Sequence, residues 1–272
     1  AFEKGLVSGL KKSFPEMKNF ASQAFNIPPN HLSLMPSEQD KILNVVPDRI
    51  LALGPVGKEM AVQFLPEVPV DFSPAFRYQK ILSTPVAVNR EANNILVLFG
   101  YGLENALTTI RILIKLENQL SSFKQVLLKL HPGGYFDRAR LLQELGQPLP
   151  PNFEFISGRL EDYLDTVALG VCGATGTAVE LATRGIPVVM IAETHSLTMN
   201  YLAARKEPEL WELCFTSDDV ASAVKRFHGA FLNDREKLIR KGQQFKQAYF
   251  VAPDEKYWKN YLPQDRKEPL YV

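Results

Sequence analysis

Disulfide bonds are the first thing this chain does without: it has two cysteines, Cys172 and Cys214, in 272 residues, each inside an apolar, strand-like run. Such placement fits buried, inert thiols rather than a disulfide framework, and a reducing cytoplasm is the expected compartment. Long apolar runs are missing too. No stretch approaches the roughly 18 apolar residues of a spanning helix, and the opening AFEKGLVSGLKKSF is too charged for a signal peptide. The chain is therefore expected to be soluble, with no transmembrane segment. Its start at Ala1 rather than Met suits a shortened chain. Histidine is scarce: His31, His131, His195 and His228 are scattered, and no HExxH, CxxC or paired-aspartate cluster supplies a metal site. A GxSxG nucleophile is likewise absent, which argues against simple ester or peptide hydrolysis. Charge of one sign is not in excess either. Lys+Arg 31 against Asp+Glu 30 leaves a formal net charge of +1, so nothing steers the chain toward nucleic acid or an anionic membrane.

What the chain has is apolar content, 46% of its residues, enough for a proper core. From Asn94 onward short β-branched runs alternate with amphipathic stretches, the pattern of βαβ units and a parallel sheet. Strands are expected at Ile95–Phe99, Gln125–Leu130, Phe153–Ile156, Leu169–Cys172, Ile186–Ile191 and Leu213–Thr216. Helices are expected at Leu103–Leu116, Phe136–Leu145, Leu160–Val167, Thr177–Arg184, Leu197–Ala204 and Asp218–Phe227, the last capped by Ser217. This is a Rossmann-like α/β pattern.

The first ninety residues differ in texture. A helix (Phe2–Ser13), a strand (Lys18–Ala24), a Pro-rich loop, the apolar PDRILALG, a helix (Lys58–Phe64) and VPVDFSPAF make partial α/β material, too little for a complete second sheet. A long helix at Phe231–Phe250 then leads into an aromatic tail with Tyr257, Trp258 and Tyr261. Three segments follow: a partial amino-terminal segment with linker (1–90), a nucleotide-binding domain (91–230), and a carboxyl-terminal helix and tail (231–272) that packs back. If exposed, the tail's aromatic side chains would suit docking of a partner.

In an open parallel sheet, ligands bind beyond the carboxyl ends of the strands, and four loops fall there. Gly100-Tyr101-Gly102 joins a strand to a helix, where glycine admits a close ligand and the helix N-terminus favours an anion; a tight turn is the alternative. Lys129-Leu130-His131-Pro132-Gly133-Gly134 ends an apolar strand with a histidine, a rigid proline and two permissive glycines. There His131 either donates to a phosphate or merely caps the turn, while Lys129 alternates away from Leu130 and points elsewhere. Gly173-Ala174-Thr175-Gly176-Thr177 opens a helix with hydroxyls and glycines, an anion cradle, an N-cap, or both. Glu180, three residues after Thr177, either meets a sugar or completes a capping box. In Ala192-Glu193-Thr194-His195-Ser196, Glu193 and His195 are placed to meet sugar hydroxyls, unless Ser196 or Thr194 simply caps the next helix.

With those residues on the page, the chain resembles the carboxyl-terminal portion of a bacterial glycosyltransferase of the two-Rossmann-domain (GT-B) kind. VPVDFSPAFRY followed by NNILVLFGYG is similar to a linker and the first strand of a donor-binding domain. KLHPGG resembles the His-Pro motif of CMP-sialic-acid and CMP-Kdo transferases and of teichoic-acid glycerophosphotransferases, and GATGTAVELATRGIPVVM resembles their hydroxyl-rich phosphate loop. The resemblance implies a metal-independent, cofactor-free transferase of surface-polysaccharide biosynthesis. It would take a nucleotide-sugar donor, CMP-linked, and a glycan acceptor, with transfer in a cleft between two domains. Gly100, Gly102, His131, Pro132, Gly133, Thr175, Gly176 and Thr177 would bind nucleotide and phosphate, and Glu180, Glu193 and His195 the sugar. The family's catalytic carboxylate comes from an early amino-terminal loop that has no counterpart here, so the base is unassigned; Glu3, Asp71 and Glu104 are conceivable stand-ins without a motif. A nucleotide-sugar 2-epimerase and a non-catalytic nucleotide-binding or assembly module are the alternatives.

Overall fold

β-branched and apolar runs that can bury both faces belong in the middle of a parallel sheet, and the chain has several. The computed structural model describes residues 2–31, 36–64, 66–86, 88–193, 196–257 and 259. They divide into two compact units, one formed by residues 1–26, 32–83 and 247–272, the other by 27–31 and 84–246.

The smaller unit carries α1 (Phe2–Ser13), β1 (Phe20–Ser22), α2 (Glu38–Ile42), β2 (Arg49–Ala52), α3 (Pro55–Phe64), β3 (Val70–Phe72) and α4 (Gln79–Ser83). Its three strands form a parallel sheet in the order β1-β2-β3, with Ala21 opposite Ile50 and Leu51 opposite Asp71. The strand expected at Lys18–Ala24 contracts to three residues. The end of the chain adds to this unit: Val251 N–H donates to the Leu53 carbonyl (2.7 Å), and the Phe250 ring lies 4.5 Å from that of Tyr78. Tyr257 meets Phe72 edge-on at 6.1 Å, whereas Trp258 and Tyr261 lie outside the described residues.

In the larger unit the chain runs β4 (Asn94–Leu98), α5 (Leu103–Lys115), α6 (Glu117–Leu120), β5 (Gln125–Lys129), α7 (Arg138–Leu145), β6 (Phe153–Phe155), β7 (Val167–Cys172), α8 (Thr177–Thr183), β8 (Val188–Ile191), β9 (Trp211–Cys214), α9 (Ser217–Asn233) and α10 (Arg235–Tyr249). The last turn of α10 passes into the smaller unit. All six strands pair in parallel, in the order β6-β5-β4-β7-β8-β9. Chain order therefore reverses between β4 and β7, the crevice where open α/β sheets hold ligands. Every residue of β4, β7 and β8 is buried, while the outer β6 and β9 are partly exposed. Cys172 and Cys214 are buried free thiols; burial holds both in the protonated form, and Cys214 is pushed up to about 12. No helix among the described residues is long and apolar enough to cross a membrane.

Four local expectations are corrected. Leu160–Val167 is two 3₁₀ turns, Leu160–Asp162 and Leu164–Thr166, because the segment after Gly158 is too short to nucleate a helix before the buried run at Val167 begins a strand. Leu197–Ala204 is irregular chain to Asn200 and turns after it: the Asn200 side chain accepts the Leu202 N–H (2.9 Å), a local bond that competes with helix. The cap of α9 is Thr216 rather than Ser217, and Thr216 and Asp219 exchange bonds in a capping box. The helix expected across Phe231–Phe250 breaks at Asp234, whose carboxylate accepts the Lys237 N–H (3.2 Å) and so restarts the chain as α10.

α10 lies close to the β7–β8 connection because Gly185 and Gly242 let it. Gly185 sits at φ +67°, and a Cβ there would stand 2.4 Å from the Leu238 carbonyl oxygen. Gly185→Ala is therefore expected to cost about 3 kcal/mol in urea unfolding, since strain and overlap add. On α9, His228 holds Nε2 3.1 Å from Asn93 Oδ1 against the Phe123 ring, and burial keeps its imidazole below its ordinary value. The unfolded chain takes up that proton more readily than the folded one. Stability should thus fall as pH drops below about 6.5, and His228→Gln should flatten that part of a urea-midpoint profile.

Candidate functional site

Register carries the ends of β4, β5 and β7 to one level: Leu98 stands opposite Lys129 on one side and Cys172 on the other. The loops that follow these strands therefore emerge together. Gly100 allows the first and third to touch, since a Cβ at that position would lie 2.8 Å from the Ala174 carbonyl oxygen. A cavity of about 760 Å³ opens beside them, at the ends of β4, β5, β6 and β7, walled among others by His131, Pro132, Thr175, Thr177 and Glu180.

The histidine has a defined tautomer. Gly133 N–H donates to His131 Nδ1 (3.0 Å), so the neutral ring carries its proton on Nε2. The Tyr101 ring packs on the imidazole with centroids 4.0 Å apart, and Gly134 N–H closes the turn on the His131 carbonyl (2.9 Å). Turn capping and a side chain presented to the cavity thus coexist in one residue.

The Thr175–Thr177 loop departs from expectation in its capping. The N-cap of α8 is Gly176, with no side-chain bond, and the Thr177–Glu180 capping box does not form. The local bond that does form is weak, Thr177 N–H to Thr175 Oγ1 at 3.4 Å. Glu180 instead belongs to the cavity wall. Behind this loop the Asn105 side chain of α5 fills the space a side chain at Gly173 would need, and its two polar atoms are buried without a hydrogen-bond partner.

Two cations in the wall change the electrostatics. Lys129, expected to point elsewhere, lines the cavity and donates to the Gly158 carbonyl (2.5 Å), because the Ile156–Leu160 loop after β6 folds over the end of β5. Arg138, at the start of α7 behind the Asp137 cap, lies 4.9 Å from the Phe155 ring centre. Among the described residues that line the cavity, Lys129 and Arg138 carry formal positive charge and Glu180 is the carboxylate. Arg138, Phe155 and the Ser157-Gly158 turn were not singled out from sequence. The sequence signal for this loop is Gly158 just beyond the β6 strand, the same signal that marks the other strand ends.

Gly100, Gly102, Gly133 and Gly176 are not among the residues that line the cavity; Gly102 is the N-cap of α5, again without a side-chain bond. Glu193 is not in the wall: its N–H donates to Thr198 Oγ1 (2.9 Å) and its carboxylate accepts from Ser196. Because turns follow, Ser196 caps no helix. His195 and Thr194 lie outside the described residues. Of the stand-ins for a base, Asp71 is ion-paired with Arg49 in the smaller unit and Glu104 is exposed in the first turn of α5. Among the described residues no His/Cys/Asp/Glu cluster is arranged to hold a metal.

No family model matches the chain, and no curated protein matches it. Solved structures do. A GtfA/B complex is similar over 95% of this chain and 55% of that one, with TM-score 0.60 and 13% identity. A MnaA–UDP structure from S. aureus covers 92% and 76% (TM-score 0.54, 12% identity). A putative UDP-N-acetylglucosamine 2-epimerase from Listeria monocytogenes covers 92% and 74% (TM-score 0.53, 11% identity). The present chain thus spans about half the length of the GtfA/B chain. Such likeness shows the fold alone, and that fold is α/β of the GT-B kind: a six-stranded Rossmann-like parallel sheet in the larger unit and a three-stranded parallel sheet in the smaller one.

The contact of Gly100 with Ala174 generates a test. Gly100→Ala should lower stability by about 1–3 kcal/mol in urea unfolding, because the clash is with backbone; an unchanged midpoint would show that the two loops part without cost.

Proposed function

We propose that this chain is the donor-binding part of a metal-independent glycosyltransferase that takes a sugar from a nucleotide-activated donor. One observation carries the reading. The cavity at the reversal of strand order combines an imidazole donor, two threonines at a helix start and two cations, a donor set suited to a phosphate ester. His131 Nε2–H and the Thr175 and Thr177 hydroxyls bind phosphate oxygens. Gly100, Gly102, Pro132, Gly133 and Gly176 shape the loops that bring backbone N–H groups near them. Lys129 and Arg138 offset the charge on the departing nucleotide, which is how such a site stabilises a leaving group. The His-Pro motif favours a CMP-linked sugar, surface polysaccharide as the destination and the cytoplasm as the location. Glu180, Glu193 and His195 are the sugar-side candidates, and the general base is unassigned.

A second reading, a nucleotide-sugar 2-epimerase, draws support from the MnaA–UDP and putative epimerase structures, of which this chain spans 76% and 74%. Glu180 as the one acidic residue among the described residues of the wall counts against it, because such chemistry requires acid and base groups at the sugar.

Calorimetric titration with CMP, CDP, UDP and GDP separates these readings. Preferential cytidine-nucleotide binding, weakened by about 1–3 kcal/mol in His131→Ala, is the expected result. Preference for UDP, with isomerisation of a UDP-sugar followed by NMR, would move the assignment to the epimerase. Absence of binding by all four would leave the assembly-module reading.

A further inference from the structure

The strand ends opposite the cavity hold an unusual concentration of buried positive charge. Arg184, after α8, and Arg235, which opens α10, are both almost wholly buried. They border one small void with Asn89, Asp165 and Phe231, all within the larger unit. The Arg235 guanidinium donates to the Gly185 carbonyl (2.5 Å) and the Arg184 carbonyl (3.1 Å), and it lies 4.8 Å from the Phe231 ring centre. Arg184 donates to the carbonyls of Thr84 (3.3 Å) and Pro85 (3.4 Å).

These carbonyls satisfy N–H groups, and those of Arg184 and Gly185 stand at the end of α8, whose dipole offsets only part of the Arg235 charge. Asp165 is the carboxylate paired with Arg184, at 3.5 Å, and its side chain is 69% exposed, so solvent weakens it as a counter-ion. Burial, and then the neighbouring Arg184, lower Lys246 as well, which adds a third cation nearby. Glu236 is turned to the exposed Arg90 (3.8 Å). One donor remains orphaned: Arg235 Nε is buried and has no partner. Burial and the charge of Arg184 depress the Arg235 guanidinium to about 10, and a guanidinium of ordinary basicity keeps its charge at neutral pH.

The void measures about 10 Å³, which admits one small particle rather than a larger polyatomic ligand. A water there would meet Nε yet leave two buried guanidinium charges facing one exposed carboxylate. We propose that the void between Arg184 and Arg235 binds a single small monovalent anion of chloride size, as a structural ion that ties the start of α10 to the β7 and β8 ends of the sheet. The orphaned Nε–H donates to it, and its charge balances the second arginine.

The test uses the whole chain at constant ionic strength in sodium chloride, sodium bromide or sodium gluconate. Thermal unfolding is expected about 2–4 °C higher in either halide than in gluconate, and Arg235→Met should abolish the difference. Crystals grown in bromide should show anomalous density within hydrogen-bond distance of Arg235 Nε. Equal midpoints in halide and gluconate for the unaltered chain, or density there without anomalous signal, would mean a water and would overturn the proposal. Both readouts come from the unaltered chain, so they decide the matter even if Arg235→Met fails to fold.

Discussion

The larger unit depends on one constraint: β4 and β7, first and fourth in chain order, lie side by side in the sheet. Because their chains lead away in opposite directions, the loops at their carboxyl ends leave a crevice no helix can cover. Hydrogen bonding aligns Leu98 with Lys129 and Cys172, and the lack of a side chain at Gly100 brings the Ala174 carbonyl close. A helix start, a proline-braced turn and a hydroxyl loop thereby border one space. The small side chain required at Gly173 belongs to the same packing, since Asn105 fills what a larger residue would need.

Electrostatics follow from that geometry. Helix starts and a neutral imidazole donor supply partial positive charge, and Lys129 and Arg138 supply full charges at the same wall. At the opposite strand ends the arrangement is inverted: cations are buried with too little negative charge, and the imbalance itself points to a ligand.

α10 links the two halves of the sequence account. It begins at a buried arginine, approaches the sheet through Gly185 and Gly242, and delivers Phe250 and Val251 to the core of the smaller unit. Neither glycine stands out in sequence. Each is needed because two backbones meet, a requirement local propensity does not encode.

Legibility divided along the same line. The six strands are legible in the sequence, because short apolar runs such as NILVL and VALGVC, alternating with amphipathic stretches, fit strands buried on both faces of a parallel sheet. His131, Thr175, Thr177 and Glu180 were legible as candidates for a similar reason: glycine, proline and hydroxyl residues beyond a strand mark where backbone turns toward a ligand. Periodicity does not record local hydrogen bonds that compete with helix, and so it extends helix across Leu197–Ala204 and through Asp234 where the structure has none. Lys129 and Arg138 required three dimensions as well, since the cavity wall depends on β5 and β6 being neighbours and on the Ile156–Leu160 loop folding over their ends. Alternating hydrophobicity records which faces are buried, but which charged residues meet depends on strand order, and strand order is decided by the packing of the whole sheet.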